Sequence, residues 1–214
     1  MSPRAALVPC LLAACLLLHA DARAEGPSFD CAKVAAGSIE ALVCRDPGLS
    51  ALDRKLAEVY AAASKKAGNE HPPVLKAEQR GWVKGRDDCW KTSGETPAWI
   101  TATWTVSSVK DCVAAQYEIR TSELQAVWRL VQPKTVSYAC QNNPANEVVA
   151  NFFATEPPTI RLERGDRTVT LWRIPAGDKY EGQNVSLVPQ GDAMKVAWLD
   201  VSTGKNDDLD CKPH

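Results

Sequence analysis

Enzymes work through a nucleophile, a base, an acid pair or a metal, and this 214-residue sequence holds few residues that could serve. A Ser–His–acid device needs a histidine held between hydroxyl and carboxylate. His71 stands before two prolines and His214 ends the chain, so both read as solvated. The carboxylates do no better. Asp87 and Asp88 are adjacent in a helical pattern and point in different directions. Asp207-Asp208-Leu209-Asp210 lacks the glycine and distal glutamate of a calcium loop, and reads as a solvated acidic loop. Neither a P-loop nor a dinucleotide fingerprint is present, and Asn184-Val185-Ser186 is a glycosylation acceptor of a kind common by chance. No catalytic residue, metal site or cofactor is expected, so the chain reads as a non-enzyme.

Tryptophan is the other residue that could carry function. Trp82, Trp128, Trp172 and Trp198 fall in patterned segments and are expected in cores. Trp90, Trp99 and Trp104 lie in or beside the irregular stretch KTSGETPAWITATWTVS. They serve either as core or as a surface for a sugar or partner protein.

The compartment is read from the first 24 residues. MSPR, an apolar run from Ala5 to Leu18, and Ala22-Arg23-Ala24 form a secretory signal with cleavage expected after Ala24. Leu12-Ala13-Ala14-Cys15 offers an alternative, lipid anchorage through Cys15, although the apolar run continues past it. Without Arg4, Arg23 and Asp21 the mature chain has 23 basic and 25 acidic residues. That balance points neither to nucleic acid nor to an anionic membrane surface.

Six cysteines remain after the signal: Cys31, Cys44, Cys89, Cys112, Cys140 and Cys211. An even number in an exported chain implies disulfides, although six cysteines allow 15 pairings. No C-x-x-C pair exists to favour a metal.

The elements around them change character near Pro133. Before it the apolar period is helical. Asp46-Pro47 reads as cap and first residue of a helix, with Leu49, Leu52, Leu56, Val59, Tyr60 and Ala63 on one face and Gly68 as its stop. A second helix begins at Pro72-Pro73 and carries Leu75, Trp82, Val83 and Cys89 along one side. A third runs from about Ser108 to Leu130 with Val109, Cys112, Val113, Gln116, Tyr117, Leu124, Val127 and Trp128 near one stripe. These placements suggest Cys89–Cys112 as a clamp on two antiparallel helices, and Cys31–Cys44 as a tie to a short first helix. After Pro133 the period is two. TVSYAC, EVVANFFA, TIRLE, TVTLWRI, NVSLV and AMKVAWLD read as short strands parted by turns such as Arg164-Gly165-Asp166. Six to eight of them suggest a small antiparallel barrel or sandwich with its ends joined by Cys140–Cys211. The expected fold is therefore two domains. An all-α, disulfide-tied helical domain covers residues 25–132, and an all-β small antiparallel barrel covers 133–214.

Both halves resemble known families. Phe29-Asp30-Cys31-Ala32-Lys33, Ile39-Glu40-Ala41 with Cys44, Asp46-Pro47 with Leu49, Leu52 and Asp53, then Tyr60, Gln79-Arg80 with Trp82, Arg86-Asp87 with Cys89, and Cys112 with Tyr117 and Arg120 resemble the LprI-like family. Its founding member is a lysozyme inhibitor. Tyr138 with Cys140, VVANFF, LERGDRTVTLWRIP, Gly177 with Lys179-Tyr180-Glu181, Gly191 and Cys211 resemble the MliC/PliC family of C-type lysozyme inhibitors. That resemblance implies an eight-stranded barrel whose two loops enter the lysozyme cleft and engage its catalytic carboxylates.

The first loop motif, Ser-Gly-Ala-x-Tyr, is here Ala176-Gly177-Asp178-Lys179-Tyr180, with Ala176 in place of serine. The second, Phe-Trp-x-Lys-Gly, is here Leu187-Val188-Pro189-Gln190-Gly191, with Gln190 in place of lysine and both aromatics gone. The resemblance thus implies lysozyme as partner, bound through Ala176, Gly177, Asp178, Lys179, Tyr180, Gln190 and Gly191. Asp178, Glu181, Asp192, Asp207, Asp208 and Asp210 form an acidic rim that steers a basic enzyme, provided their loops cluster.

Overall fold

The computed structural model describes residues 25–68, 72–91, 106–175, 177–200 and 203–214. The signal segment with Cys15, and His71, Trp99, Trp104 and Ala176, lie outside the described residues.

The N-terminal part is helical: α1 (Ile39–Arg45), α2 (Pro47–Ala67), α3 (Pro72–Asp87) and α4 (Val109–Val127), with 3-10 turns at Cys31–Lys33 and Asp88–Lys91. Polar caps set the starts. Ser38 accepts from the Ala41 N–H and Ser108 from the Asp111 N–H, each satisfying an otherwise orphaned donor. Asp46 ends α1 and begins α2. One of its carboxylate oxygens accepts from Leu49 N at 3.0 Å and the other pairs with Lys110 Nζ at 2.5 Å. Its backbone N–H caps α1 at the Leu42 carbonyl, so one residue joins three helices, and Lys110 with the Leu49 amide holds its carboxyl below the ordinary range. The core between them is Val43, Leu49, Leu56, Ala63, Leu75, Val113, Tyr117 and Leu124.

The C-terminal part is a closed barrel of eight antiparallel strands, each paired with the next and β8 with β1. They are β1 (Lys134–Cys140), β2 (Asn143–Phe153), β3 (Thr159–Arg164), β4 (Arg167–Arg173), β5 (Tyr180–Gly182), β6 (Val185–Gln190), β7 (Ala193–Asp200) and β8 (Lys205–Pro213). Alternate residues fill the interior, among them Val148, Ala150, Ile160, Leu162, Leu171, Leu187, Val196 and Leu209. The closing pair β1–β8 is short, matching Tyr138 with Pro213, Ala139 with Lys212 and Cys140 with Cys211.

Disulfides join Cys31–Cys44, Cys89–Cys112 and Cys140–Cys211, as the placement of the elements suggests. Three expectations change. The Asp207-Asp208-Leu209-Asp210 stretch is strand, not loop, because Leu209 and Cys211 alternate inward and fill the barrel while the acids point out. Helix α3 stops before Cys89, which lies in the 3-10 turn. Val127 is 37% exposed rather than on the buried stripe, since α4 ends there.

The two parts pack together through α4 and β3. Arg161 of β3 donates from Nη1 to the carbonyl of Val127, at the electronegative C-terminus of α4, over 3.3 Å. Trp172 of β4 turns its ring away from the barrel interior and onto the helical core.

Candidate functional site

In an up-and-down barrel every second connection emerges at the same end. The β4–β5 and β6–β7 connections therefore share one end with the β2–β3 connection. The topology brings together the two loops that the sequence singles out.

The first of them is braced internally. Ile174 N donates to the Lys179 carbonyl at 2.9 Å, closing the loop at its neck. Arg173 donates from Nη2 to Asp178 Oδ1 at 2.7 Å and from Nε to the Gly177 carbonyl at 3.1 Å. Gly177 has φ of 128°, a conformation only glycine adopts without strain. Lys179 is ion-paired with Glu181. Tyr180 is half-buried against the barrel core, and burial raises its hydroxyl pKa against the pull of Arg173.

The second loop projects further. Strand β5 is three residues long and Tyr180 is paired with Leu187, so Val188, Pro189 and Gln190 have partners on the β7 side alone. All three are exposed, Val188 at 40%. Gln190 lies roughly 10 Å along the strand from Leu187 at about 3.3 Å per residue. A Gly191–Asp192 turn, with Gly191 at φ 64°, returns the chain to Ala193. Pro189 removes one donor from this open edge, which limits strand-to-strand aggregation. Gly182 explains why β5 can lie so close to β4: a Cβ there would sit 2.2 Å from the Thr170 carbonyl oxygen.

The acids do not form a free rim. Asp178 pairs with Arg173, Glu181 with Lys179, Asp207 with Arg164 and Asp210 with Lys195. Asp207, Asp208 and Asp210 point outward along β8; Asp208 and Asp210 line a surface cavity with Val188, and Asp210 lines another with Gln190. The ion pairs of Asp178, Glu181, Asp207 and Asp210 with basic neighbours reduce the field that these acids offer a basic enzyme.

A second polar constellation lies inside the helical part. The Tyr117 hydroxyl donates to Asp53 Oδ1 at 2.9 Å, and Arg86 Nη1 donates to that hydroxyl at 2.9 Å. Arg86 Nη2 is also ion-paired with Glu40 and with Asp87. Ser28 N donates to the other Asp53 oxygen at 2.6 Å. Burial raises the Tyr117 pKa well above that of a free tyrosine, with Asp53 adding and Arg86 opposing. Burial also works against the charge of Arg86, but Tyr117, Asp87 and Glu40 outweigh it and its pKa rises. In sequence these residues are only family markers. The available signal is that Asp53, Arg86 and Tyr117 fall on helix faces that must be buried, where charges need partners.

Above this network is an open cleft of about 330 Å³ between α2 and α3. Phe29, Tyr60 and Trp82 stand in its walls, and Glu40, Asp53, Gln79 and Arg86 line it. Among the described residues no group of His, Cys, Asp and Glu is arranged to hold a metal ion.

Among the described residues, four α-helices and an eight-stranded antiparallel barrel, braced by disulfides, are thus defined, with an exposed hairpin at one end of the barrel. Residues 31–124 match the family model described as Lysozyme inhibitor LprI. The curated proteins named Lipoprotein LprI from Mycobacterium bovis and from Mycobacterium tuberculosis are each 27% identical over 165 residues, covering 75% of this chain and 74% of theirs. A match over three quarters of the chain cannot fit within the helical part, so that similarity runs on into the barrel. The family match itself stops at residue 124 and does not reach the barrel. No solved structure matches. No described helix is long and apolar enough to cross a membrane.

Proposed function

We propose that this chain is a bacterial envelope inhibitor of lysozyme, of the C-type, that blocks the enzyme's cleft with residues 176–192. The observation that carries this reading is the exposed Val188–Gln190 segment. It stands past the end of β5, at the same barrel end as the Gly177–Tyr180 loop. The matching family's description supplies the target class.

A retaining lysozyme works with one protonated and one ionised carboxyl group. The Gln190 amide can donate to the ionised group and its carbonyl can accept from the protonated one. Hydrogen bonds to charged groups are worth about 1.5–3 kcal/mol each. Lys179 and Arg173 are already committed to Glu181 and Asp178, so Gln190 leads the contact. The molecule acts as a rigid ligand, not an enzyme, and needs no cofactor. Its two domains part near residue 133. The segment before residue 25 sends it to the periplasm or outside, or Cys15 anchors it.

The test is inhibition of a C-type lysozyme by the oxidised mature protein and by Gln190→Lys. Inhibition by the wild type, strengthened in the variant, supports the reading. No inhibition by either would sink the C-type assignment.

A second reading, a binding module for glycan or a partner protein that does not inhibit lysozyme, is favoured by Trp90. The residue is 67% exposed, with Lys91 Nζ 5.7 Å from the ring centroid. Under this reading Trp90→Ala abolishes ligand binding. Under the first it leaves lysozyme inhibition unchanged.

A further inference from the structure

We infer that the cleft between α2 and α3 is a carbohydrate-binding site that takes one or two pyranose rings of an N-acetylated glycan. It is separate from the barrel loops and from Trp90, and does not depend on lysozyme inhibition.

The shape follows from the packing. α2 lies chiefly on α4, and α2 and α3 meet over few residues. Between them is a gap with Arg86 and Asp53 in its floor, and the buried Tyr117 hydroxyl, bonded to both, lies beneath it. The volume of about 330 Å³ is at the small end of ligand clefts, which run from about 300 to 1,000 Å³. The walls combine three aromatic rings, Phe29, Tyr60 and Trp82, with the aliphatic groups of Leu56, Ala57 and Val83.

The charges on the floor select the ligand class. Glu40 and Asp53 are acidic and Arg86 is basic, all within one connected network. A cation placed there meets Arg86 and an anion meets the two carboxylates, so neither gains a clear advantage. A neutral ligand with many hydroxyls gains from both signs, because each hydroxyl donates and accepts. Gln79 holds its carbonyl toward Arg120 Nε at 3.1 Å, which orients the other end of the amide as a donor. Aromatic faces cover the apolar face of a sugar ring, as in other small-molecule sites that pair apolar walls with a few fixed polar groups. An acetamido methyl suits the aliphatic wall.

The floor is also fixed before any ligand arrives. Trp82 donates from Nε1 to the Gln116 carbonyl at 3.3 Å, and its ring meets Tyr117 edge-on at 5.3 Å between centroids. Arg86 lies 5.6 Å from the Trp82 ring and 5.7 Å from that of Tyr117. A wall whose rings are already held loses little freedom on binding.

The experiment titrates the full mature protein with a β-1,4-linked N-acetylglucosamine tetramer, followed by tryptophan fluorescence and calorimetry. Two variants accompany it: Ala57→Trp, which fills the cleft without touching the network, and Tyr60→Ala, which removes one wall. Melting curves establish that each is folded. The expected result is saturable binding, with a dissociation constant below about 1 mM, weakened at least about tenfold in the folded variants. If Ala57→Trp does not fold, Tyr60→Ala decides. Absence of saturable binding by the wild type overturns the inference, as does wild-type affinity in the deciding variant. Saturable binding of a lysine- and arginine-rich peptide in place of the sugar also overturns it, and reassigns the cleft to a basic protein segment.

Discussion

Trp172 belongs to a barrel strand, yet its indole N–H donates to the Ser122 hydroxyl of α4 at 3.1 Å and its ring lies on the helical core. The barrel thus lends a side chain to the other half of the molecule. Trp172→Ala removes both the ring and the hydrogen bond. Complete truncation of a buried tryptophan costs about 3–5 kcal/mol, and this ring is only partly buried. A loss of about 2 kcal/mol is expected, with separate helical and barrel transitions in urea where a single one is expected of the wild type.

The Asp53–Tyr117–Arg86–Glu40 network makes a stronger demand. Arg86→Ala leaves the buried Tyr117 hydroxyl without its donor and Glu40 and Asp87 without their cation. Removing one member of a fully buried ion pair costs about 3–5 kcal/mol, an upper limit here because both carboxylates are partly exposed. Denaturant unfolding of the variant measures it. Arg86→Lys should recover only part of the loss, because an ammonium cannot reach Tyr117, Glu40 and Asp87 with the geometry of a guanidinium.

Tyr117 also sets an alkaline limit. Its pKa in the folded chain is raised above the ordinary 10.0, chiefly by burial. The stability it contributes is complete below pH 10.0 and falls as pH rises beyond it, because the unfolded chain ionises first. Melting temperature should drop steeply above that pH. In Tyr117→Phe, less stable at neutral pH, that slope should be shallower.

Glu118 works in the acidic direction. Burial, and then the Glu156 carboxylate, raise its pKa above 4.5 while Lys55 opposes. A carboxyl shifted upward supports the fold when protonated, and that support is lost as pH rises through its folded value. Glu118→Gln should therefore raise the melting temperature at neutral pH and change little below about pH 4. A lower melting temperature at neutral pH would show that the carboxylate has a partner worth more than its burial costs.

At the other end of the chain, replacing Cys140 and Cys211 by serine opens a loop spanning 71 residues. The chain-entropy relation values that link at about 4 kcal/mol. The variant should melt well below the wild type and bind a hydrophobic dye at temperatures where the wild type does not.

The parts of the fold that local chemistry dictates were legible in the sequence. Asp46-Pro47 marks a helix start whatever surrounds it, and the two-residue period after Pro133 leaves few architectures open. β8 was not legible, because Lys205-Asn206-Asp207-Asp208 is polar on both faces and only Leu209 and Cys211 carry the alternation. The barrel needs an eighth strand to close, and that demand is not local. Among the candidate loop residues, Gln190 and Gly191 were readable as an exposed tip. The commitment of Lys179 to Glu181 and of Asp178 to Arg173 was not, since it depends on which strands β5 separates. The buried network was hidden for a similar reason: its four members are scattered along the chain and meet only when α1, α2, α3 and α4 pack.

The β1–β8 pairing spans three matched positions, and the third is the disulfide itself. A barrel fastened across so short a seam is a cylinder with a zip. With the sulfurs reduced, β1 and β8 can part and each offers an unpaired strand edge, a template for exchange with a neighbouring copy. The chain is then safest if it reaches its closed form only where thiols oxidise. Held reduced in the cytosol it would be a candidate for strand-swapped dimers, and the same cysteine pair that stabilises one molecule also keeps it from joining another.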